Sequence, residues 1–393
     1  WLGAGRVQTP VLGWIIDAYR KWKEKQCIAI SIMAGSEKPY LPIRICIDNN
    51  EAAKEIHEEL MKEGKIFIRV IDRFEKIVKP KPPYTTDELL YDASRIGIPA
   101  SLAMKLAQEL FESGLITYHR TDSTYVSNTG IEIAKNYAKE KGLSEYLVPR
   151  HWGSKGTHEA IRPTHPWDAT DLEKALAEGL INIPIYLTPL HIRLYDLIFR
   201  RFMSSQMREY SVLCIKAITE LRRKYSVEIE IPYMIKSHGF DLVAKPVVYT
   251  WLPTTDIMEL NITRIRKYRT SREKLMDHGL TIRKMKEVGI GRPSTYASIL
   301  SKIRRHGYVI ESKKRKYLIP TKTGIDVFNY LIDNYPDLVS IETTRYMEKL
   351  IDMITVRAVD AVEAIEDILS RLVSHKLIDH EWYIARELVK ASS

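Results

Sequence analysis

Residues 114–127 read GLITYHRTDSTYVS and place Tyr118, His119 and Arg120 in a row, followed by Asp122 and Ser123. A tyrosine hydroxyl can attack a phosphodiester to give a covalent phosphotyrosyl ester, provided its proton is removed and a cation stabilises the charge on the phosphoryl oxygens. If this stretch is a β-strand, side chains two apart share a face, so Tyr118 and Arg120 would address one phosphate, the guanidinium binding two of its oxygens. Asp122 and Ser123 suit a turn that fixes the strand end better than they suit catalysis. Tyr125 lacks an arginine two positions on and is the weaker nucleophile.

A second polar cluster, GSKGTHEAIRPT at residues 153–164, supplies Lys155, His158, Glu159 and Arg162. His158 and Arg162 are four apart, so a helical turn would put both on one face as a second cationic contact to phosphate, with the histidine able to position it or handle protons. An isolated histidine is more often structural, and the basic neighbours here leave both readings open. The third cluster, LGAGRVQTPVLGWIID, opens the chain. Its glycines expose backbone N–H groups, and Gly5, Arg6, Gln8 and Thr9 can touch a phosphate ahead of a helix beginning near Pro10. The chain carries no Walker lysine motif, zinc-binding set, DxD or compact carboxylate cluster beside these motifs, so no metal ligands are evident in it.

These clusters need elements to hold them. From Cys27 to Val78 the hydrophobic period is two, broken by a helical stretch from Asn50 to Glu63, which predicts sheet with a covering helix. The prolines of KPKPPYTTDELL end that region, and Thr85 or Thr86 can cap the helix that follows. Helical periodicity holds over residues 87–200. After Met207 strands return in REYSVLCIKAITEL, KYSVEIEIPY and FDLVAKPVVYTWLP, so a helical domain is inserted into a β domain whose halves pair as one antiparallel unit. From about Arg264 the pattern is helical again. Within it Ser294 is the expected N-cap of a helix through Ala297 to Arg305, with Ile299, Leu300 and Ile303 on one side and Gly307 at its end. The strands YVI and KYLIP then flank the basic turn ESKKRK: either a solvated hairpin or the wing of a winged helix, which docks on DNA. Leu102, Leu106 and Leu110 make a similar helix that Gly114 stops just before Tyr118.

Composition narrows the class. With 393 residues, 45% of them hydrophobic, the chain can build two to four domains with proper cores. No apolar window suits a membrane span and no basic leader suits a signal peptide, which predicts a soluble, cytoplasmic protein. Cys27, Cys46 and Cys214 lie too far apart for a zinc ribbon and read as buried packing residues rather than a disulfide framework. A net charge of +10 favours polyanionic partners. Four glutamines among abundant Lys, Arg and Glu suggest adaptation to heat. The chain starts at Trp1, as a piece of a longer protein would.

Taken in order, GAGRVQTPVL, PPYTTDELL, LFESGLITYHRTDST, HEAIRPT and GIGRPSTYASIL resemble the motif set of the type IA DNA topoisomerases, and PPYTTDELLYDAS most resembles the topoisomerase module of reverse gyrase. The resemblance implies an α+β multidomain fold, a toroidal arch with winged-helix-like (CAP-like) helical domains and an antiparallel β arch. Residues 1–26 with 265–393 would form the winged-helix body, 27–90 with 206–264 the β arch, and 91–205 the helical domain carrying the tyrosine. It implies Tyr118 as the nucleophile forming a 5′-phosphotyrosine on single-stranded DNA, Arg120 stabilising the transition state, and His158 handling the phosphate or protons. Glu159 and Arg162 would support His158. Gly5, Arg6, Gln8 and Thr9, with Lys155, Arg292 and Ser294, would lie along the DNA. Magnesium would enter through a Toprim domain, and ATP, for positive supercoiling, through a helicase-like module; both lie outside this chain, in the same protein or a partner. The implied setting is the nucleoid of a thermophilic prokaryote. The alternatives are a non-catalytic single-stranded-DNA-binding module and a fragment of a plain topoisomerase I or III.

Overall fold

The computed structural model describes residues 3–222, 224–252, 255–313 and 315–374. Lys314 of the basic turn and residues 375–393 of the expected helical body lie outside the described residues. In chain order the elements are α1 (Gln8–Glu24), β1 (Gln26–Ala34), β2 (Leu41–Ile47), α2 (Asn50–Glu63), β3 (Lys65–Val78), α3 (Thr86–Arg95), α4 (Ala100–Glu112), α5 (Asn128–Glu140), α6 (Ala169–Ala177) and α7 (Pro189–Ser205). There follow β4 (Tyr210–Leu221), β5 (Tyr225–Ser237), β6 (Ile257–Ser271), α8 (His278–Val288), α9 (Tyr296–Arg305), β7 (Val309–Glu311), β8 (Leu318–Pro320), α10 (Lys322–Asn334), α11 (Ile341–Thr355) and α12 (Ala361–Ser374). This is the expected α+β, multidomain composition.

Two compact units divide the chain: residues 20–89 with 103–274, and residues 1–19 with 90–102 and 275–393. This is a coarser cut than the three segments expected from periodicity, because the β region and the helices inserted into it fall in one unit.

The larger unit is built on one antiparallel sheet in the order β2-β1-β6-β3-β4-β5. Strands from before and after the helical insertion therefore pair directly, as the sequence pattern requires. Alternation puts Ile30, Ile32, Ile43, Ile45 and Ile47 on one face, where Ala53, Ile56 and Leu60 of α2 cover them. Asn49 caps α2 by accepting from Ala52 N, and Gly64, in the left-handed region at φ 68°, ends it.

Strand β6 corrects the expected boundary near Arg264. Opposite Met33 and Ala34 its register slips by one residue, with Thr263 the extra one, so the apolar alternation of Met258, Leu260 and Ile262 resumes out of phase at Ile265. Residues 243–252, expected as a strand, are irregular and follow a 3₁₀ turn at Phe240–Leu242; Pro246, which cannot donate to a ladder, lies within them. The cysteine expectation is corrected too. Cys27 and Cys46, on adjacent antiparallel strands with Cα atoms 5.6 Å apart, form a disulfide, while Cys214 is buried and free.

In the smaller unit, α9 buries Ile299, Leu300 and Ile303 as expected, and β7 pairs antiparallel with β8 beyond it. The cap differs from expectation. Thr295, not Ser294, stands at the N-cap, its hydroxyl accepting from Arg292 N at 2.9 Å rather than from the helix, while Ser294 is exposed in the turn before.

Candidate functional site

Residues 115–121 do not form the strand that would put Tyr118 and Arg120 on one face; a single antiparallel bridge, Ile116 to Pro163, is all the ladder there is. The loop is instead fixed by hydroxyls. Thr117 Oγ1 donates to Ala160 O at 2.7 Å and accepts from Arg162 N at 2.9 Å, while Thr117 N donates to Arg162 O at 2.9 Å. On the other flank Thr86, fully buried, receives Thr121 N on its Oγ1 at 2.9 Å and directs its own hydrogen to the carbonyls of His119 (2.8 Å) and Thr121 (3.0 Å). Thr85 or Thr86 was expected to cap the helix, and α3 does begin at Thr86; the grip of the Thr86 hydroxyl on residues 119–121 was not visible in the sequence. Two residues earlier Tyr84 bridges Ile161. The segment 84–86 thereby docks both polar clusters, 118–123 and 158–162, which the sequence separates by some forty residues.

Tyr118, half-buried, stands in this frame with its ring 4.9 Å from that of His158 and edge-on to Phe111 at 5.3 Å. His158 is exposed, as are Arg120 and Lys155, so the side chains brought to this end of the loop face solvent. His119 behaves oppositely. It has no exposed surface, neither ring nitrogen has a partner among the described residues, and burial first, then the charge of Arg120, lower its pKa to about 4.

The expected helical turn over residues 158–162 is absent, since the segment is extended and bridges on both sides of Arg162. His158 is exposed whereas Arg162 is buried, so the two do not present one cationic surface to a phosphate. Arg162 is 4% exposed and its guanidinium is engaged within the protein: Nε to Glu159 Oε2 at 2.9 Å, Nη2 to Glu159 Oε1 at 2.6 Å and Nη1 to Pro163 O at 2.9 Å. Glu159 Oε2 also accepts from Ser127 N at 3.2 Å. Burial alone would raise the Glu159 carboxyl pKa, but the Arg162 hydrogen bond and charge, helped by Ser127, hold it below the usual range. A Cβ on Gly130 would stand 2.8 Å from Arg162 Nε, so only glycine lets α5 start this close to the pair. Arg162, expected as a phosphate contact, and Glu159, expected to support His158, are thus bound to each other. Among the described residues no three His, Cys, Asp or Glu side chains gather as a metal site, and the Glu159 carboxylate is engaged by Arg162 and Ser127.

In the smaller unit the first and last of the quoted motifs, through Arg6 and Arg292, meet on α11. Arg6 Nη2 lies 3.6 Å from Glu348 Oε1 and Arg292 Nε 3.3 Å from Glu348 Oε2, with Arg292 Nη2 also 2.7 Å from Asp352 Oδ2. Thr344 Oγ1 donates to Arg6 O at 2.8 Å. Thr344, Glu348 and Asp352 are four apart and so share one face of the helix. Glu348 is 7% exposed whereas the two arginine side chains are 36% and 38% exposed, so the carboxylate lies behind the cations. Glu348 was not singled out from sequence; no motif marks it. Gln8 and Thr9 open α1, with Thr9 buried, and Gln8 closes over Gly5, where a Cβ would meet Gln8 Nε2 at 3.0 Å.

The chain belongs to the DNA topoisomerase family, whose model, described as DNA topoisomerase, matches residues 1–366. It is 43% identical over 386 residues to reverse gyrase 2 of Aeropyrum pernix, covering 97% of this chain and 31% of that protein. It is likewise 43% identical over 377 residues to reverse gyrase of Pyrococcus furiosus, covering 95% of this chain and 30% of that one. The full-length topoisomerase I structure from Thermotoga maritima is similar with a TM-score of 0.68 and 28% identity, over 95% of this chain and 63% of that one. The resemblance read from the ordered motifs is thereby borne out. The chain spans under a third of the length of these reverse gyrases. No helix among the described residues is long and apolar enough to cross a membrane.

Proposed function

We propose that this chain is the tyrosine-bearing part of a DNA topoisomerase of the type IA kind, cutting and rejoining one strand through Tyr118. The Tyr118 hydroxyl attacks a backbone phosphorus, the bond from phosphorus to the 3′-oxygen breaks, and that oxygen leaves as a 3′-hydroxyl after gaining a proton. One phosphodiester is exchanged for another, so the cut needs no external energy source and the same 3′-hydroxyl reverses it. His158, ring to ring with Tyr118, is the group we assign to moving the proton or seating the phosphate, and Arg120 to neutralising the phosphoryl oxygens. The observation that carries this reading is the presentation of Tyr118 beside an exposed histidine on a loop pinned by Thr86 and Thr117.

Arg6 and Arg292 would hold the single strand, with Lys155 and Ser294 as further contacts, and α9 with the β7–β8 hairpin would act as a winged helix on DNA backbone. The likeness to reverse gyrases supports a parent protein that passes a strand through the gap and introduces positive supercoils with ATP. Magnesium and ATP would then be supplied by parts beyond this chain. The test is polarity of the cut in the parent protein. A single-stranded oligonucleotide labelled on the 3′ side of the break should travel with the protein under denaturation, and label retained only from the 5′ side would overturn the assignment.

A further inference from the structure

Strand β6 and the residues after it are charged unlike the rest of their sheet. Residues 262–274 read ITRIRKYRTSREK, six cations against the single carboxylate Glu273. The register aligns Arg44, Ser31 and Arg266 in one row across β2, β1 and β6, with Cys46, Ala29 and Tyr268 in the next and Pro42, Met33 and Arg264 on the other side. Residues directly opposite share a face, so Arg44, Arg264, Arg266 and Tyr268 stand together on the face away from α2. Tyr268 is 41% exposed, the Arg44 guanidinium lies 6.0 Å from its ring centroid, and Arg44 Nη2 donates to Thr270 Oγ1 at 3.1 Å. Lys267 and Arg269 project beyond the isoleucine rows on the opposite face, both exposed.

Elsewhere in this sheet cations are neutralised one by one. Lys65 pairs with Glu259, Arg69 with Glu220, Arg73 with Asp256, Lys76 with Glu230, Lys216 with Glu228 and Lys236 with Glu75. A surface whose charges served only solubility and heat resistance would continue that pattern. It stops at β6. Asp48 holds Arg272 and Lys25 holds Glu273, and no carboxylate pairs with Arg266, Lys267, Arg269 or Lys274 among the described residues. Unpaired like charges this close repel one another, and a polyanion relieves that repulsion while releasing its own counterions.

We propose that the β6–β1–β2 region of the sheet is a further DNA contact, its cations taking backbone phosphates and the Tyr268 ring offering a stacking surface to an exposed base. This rests on the DNA-cleaving reading and deepens it by naming a surface for DNA apart from the Tyr118 loop.

The test uses the full-length parent protein and its Arg44→Ala/Arg264→Ala/Arg266→Ala triple variant, which removes the exposed cations that share the Tyr268 face, with a Gln triple at the same positions should the alanine protein lose thermal stability. Adduct formation is read on a short single-stranded oligonucleotide, and affinity on plasmid DNA across a salt series. The triple variant should form the oligonucleotide adduct as the parent does. Its plasmid affinity should fall about tenfold at 0.1 M salt, with the log–log salt slope shallower by about 2.7 if all three cations meet phosphates. Unchanged plasmid affinity and slope, with adduct formation intact in the parent, would overturn the surface and leave the cleavage reading standing. Loss of plasmid affinity in the variant of a parent that forms no adduct would support the surface and sink the cleavage reading. A parent that binds neither DNA would sink both.

Discussion

Arg162 and Glu159 form a closed, two-pronged ion pair, with Nε–Oε2 at 2.9 Å and Nη2–Oε1 at 2.6 Å. The pair turns Arg162 inward, while His158, Arg120 and Lys155 remain exposed. Removing the arginine would strand a partly buried carboxylate. Arg162→Ala should destabilise the protein by about 3 kcal/mol and lower adduct formation through disorder at His158, read by melting temperature and covalent capture together. Because the Glu159 pKa is depressed on folding, its contribution is present in full above the ordinary carboxylate pKa and is lost as pH falls through the folded value. The gap in melting temperature between wild type and Glu159→Gln should therefore close on acidification below about pH 4; a constant gap would contradict the pairing.

His119 makes the opposite demand. Its pKa falls from 6.5 to about 4 on folding, so between those values the unfolded chain binds a proton that the folded chain does not, and stability drops as pH falls through that window. His119→Phe should remove that part of the pH dependence and, by replacing two unpaired buried nitrogens, stabilise the protein by about 1–3 kcal/mol at neutral pH. Calorimetry at pH 7 and pH 5 would decide it, with an unaltered pH profile counting against the neutral, unpartnered imidazole.

Glu348 is expected to act as the positioning group for Arg6 and Arg292. If each arginine meets one phosphate, single replacement by Ala should make the salt slope for a single-stranded oligonucleotide shallower by about 0.7. Glu348→Ala should weaken binding severalfold, and should add little once both arginines are gone. Tighter binding by Glu348→Ala would instead mark the carboxylate as a competitor for phosphate.

How much of this was written in the sequence depends on whether local pattern or long-range pairing decides the structure. Helix α2 was legible to its ends, because Asn49, Gly64 and the apolar spacing between them all act locally. The antiparallel union of strands from both sides of the insertion was legible too, because neither half could bury both its faces alone. Strand β6 was not, since the slip at Thr263 inverts the alternation that marks a strand. The Tyr118 segment looked like a strand by spacing but is held by Thr86 and Thr117 through side-chain bonds that no periodicity records. Likewise Arg162 read as a phosphate ligand by type, and only the fold shows its guanidinium turned inward onto Glu159. Cys27 and Cys46 looked remote because their nearness comes from strand pairing, not spacing.

The central claim is that Tyr118 is the nucleophile, and denaturant-trapped capture of labelled single-stranded DNA by the full-length parent protein with magnesium tests it most directly. A covalent adduct should form with wild type and vanish in Tyr118→Phe, while DNA binding by the variant is retained. An adduct that persists in Tyr118→Phe would contradict the account.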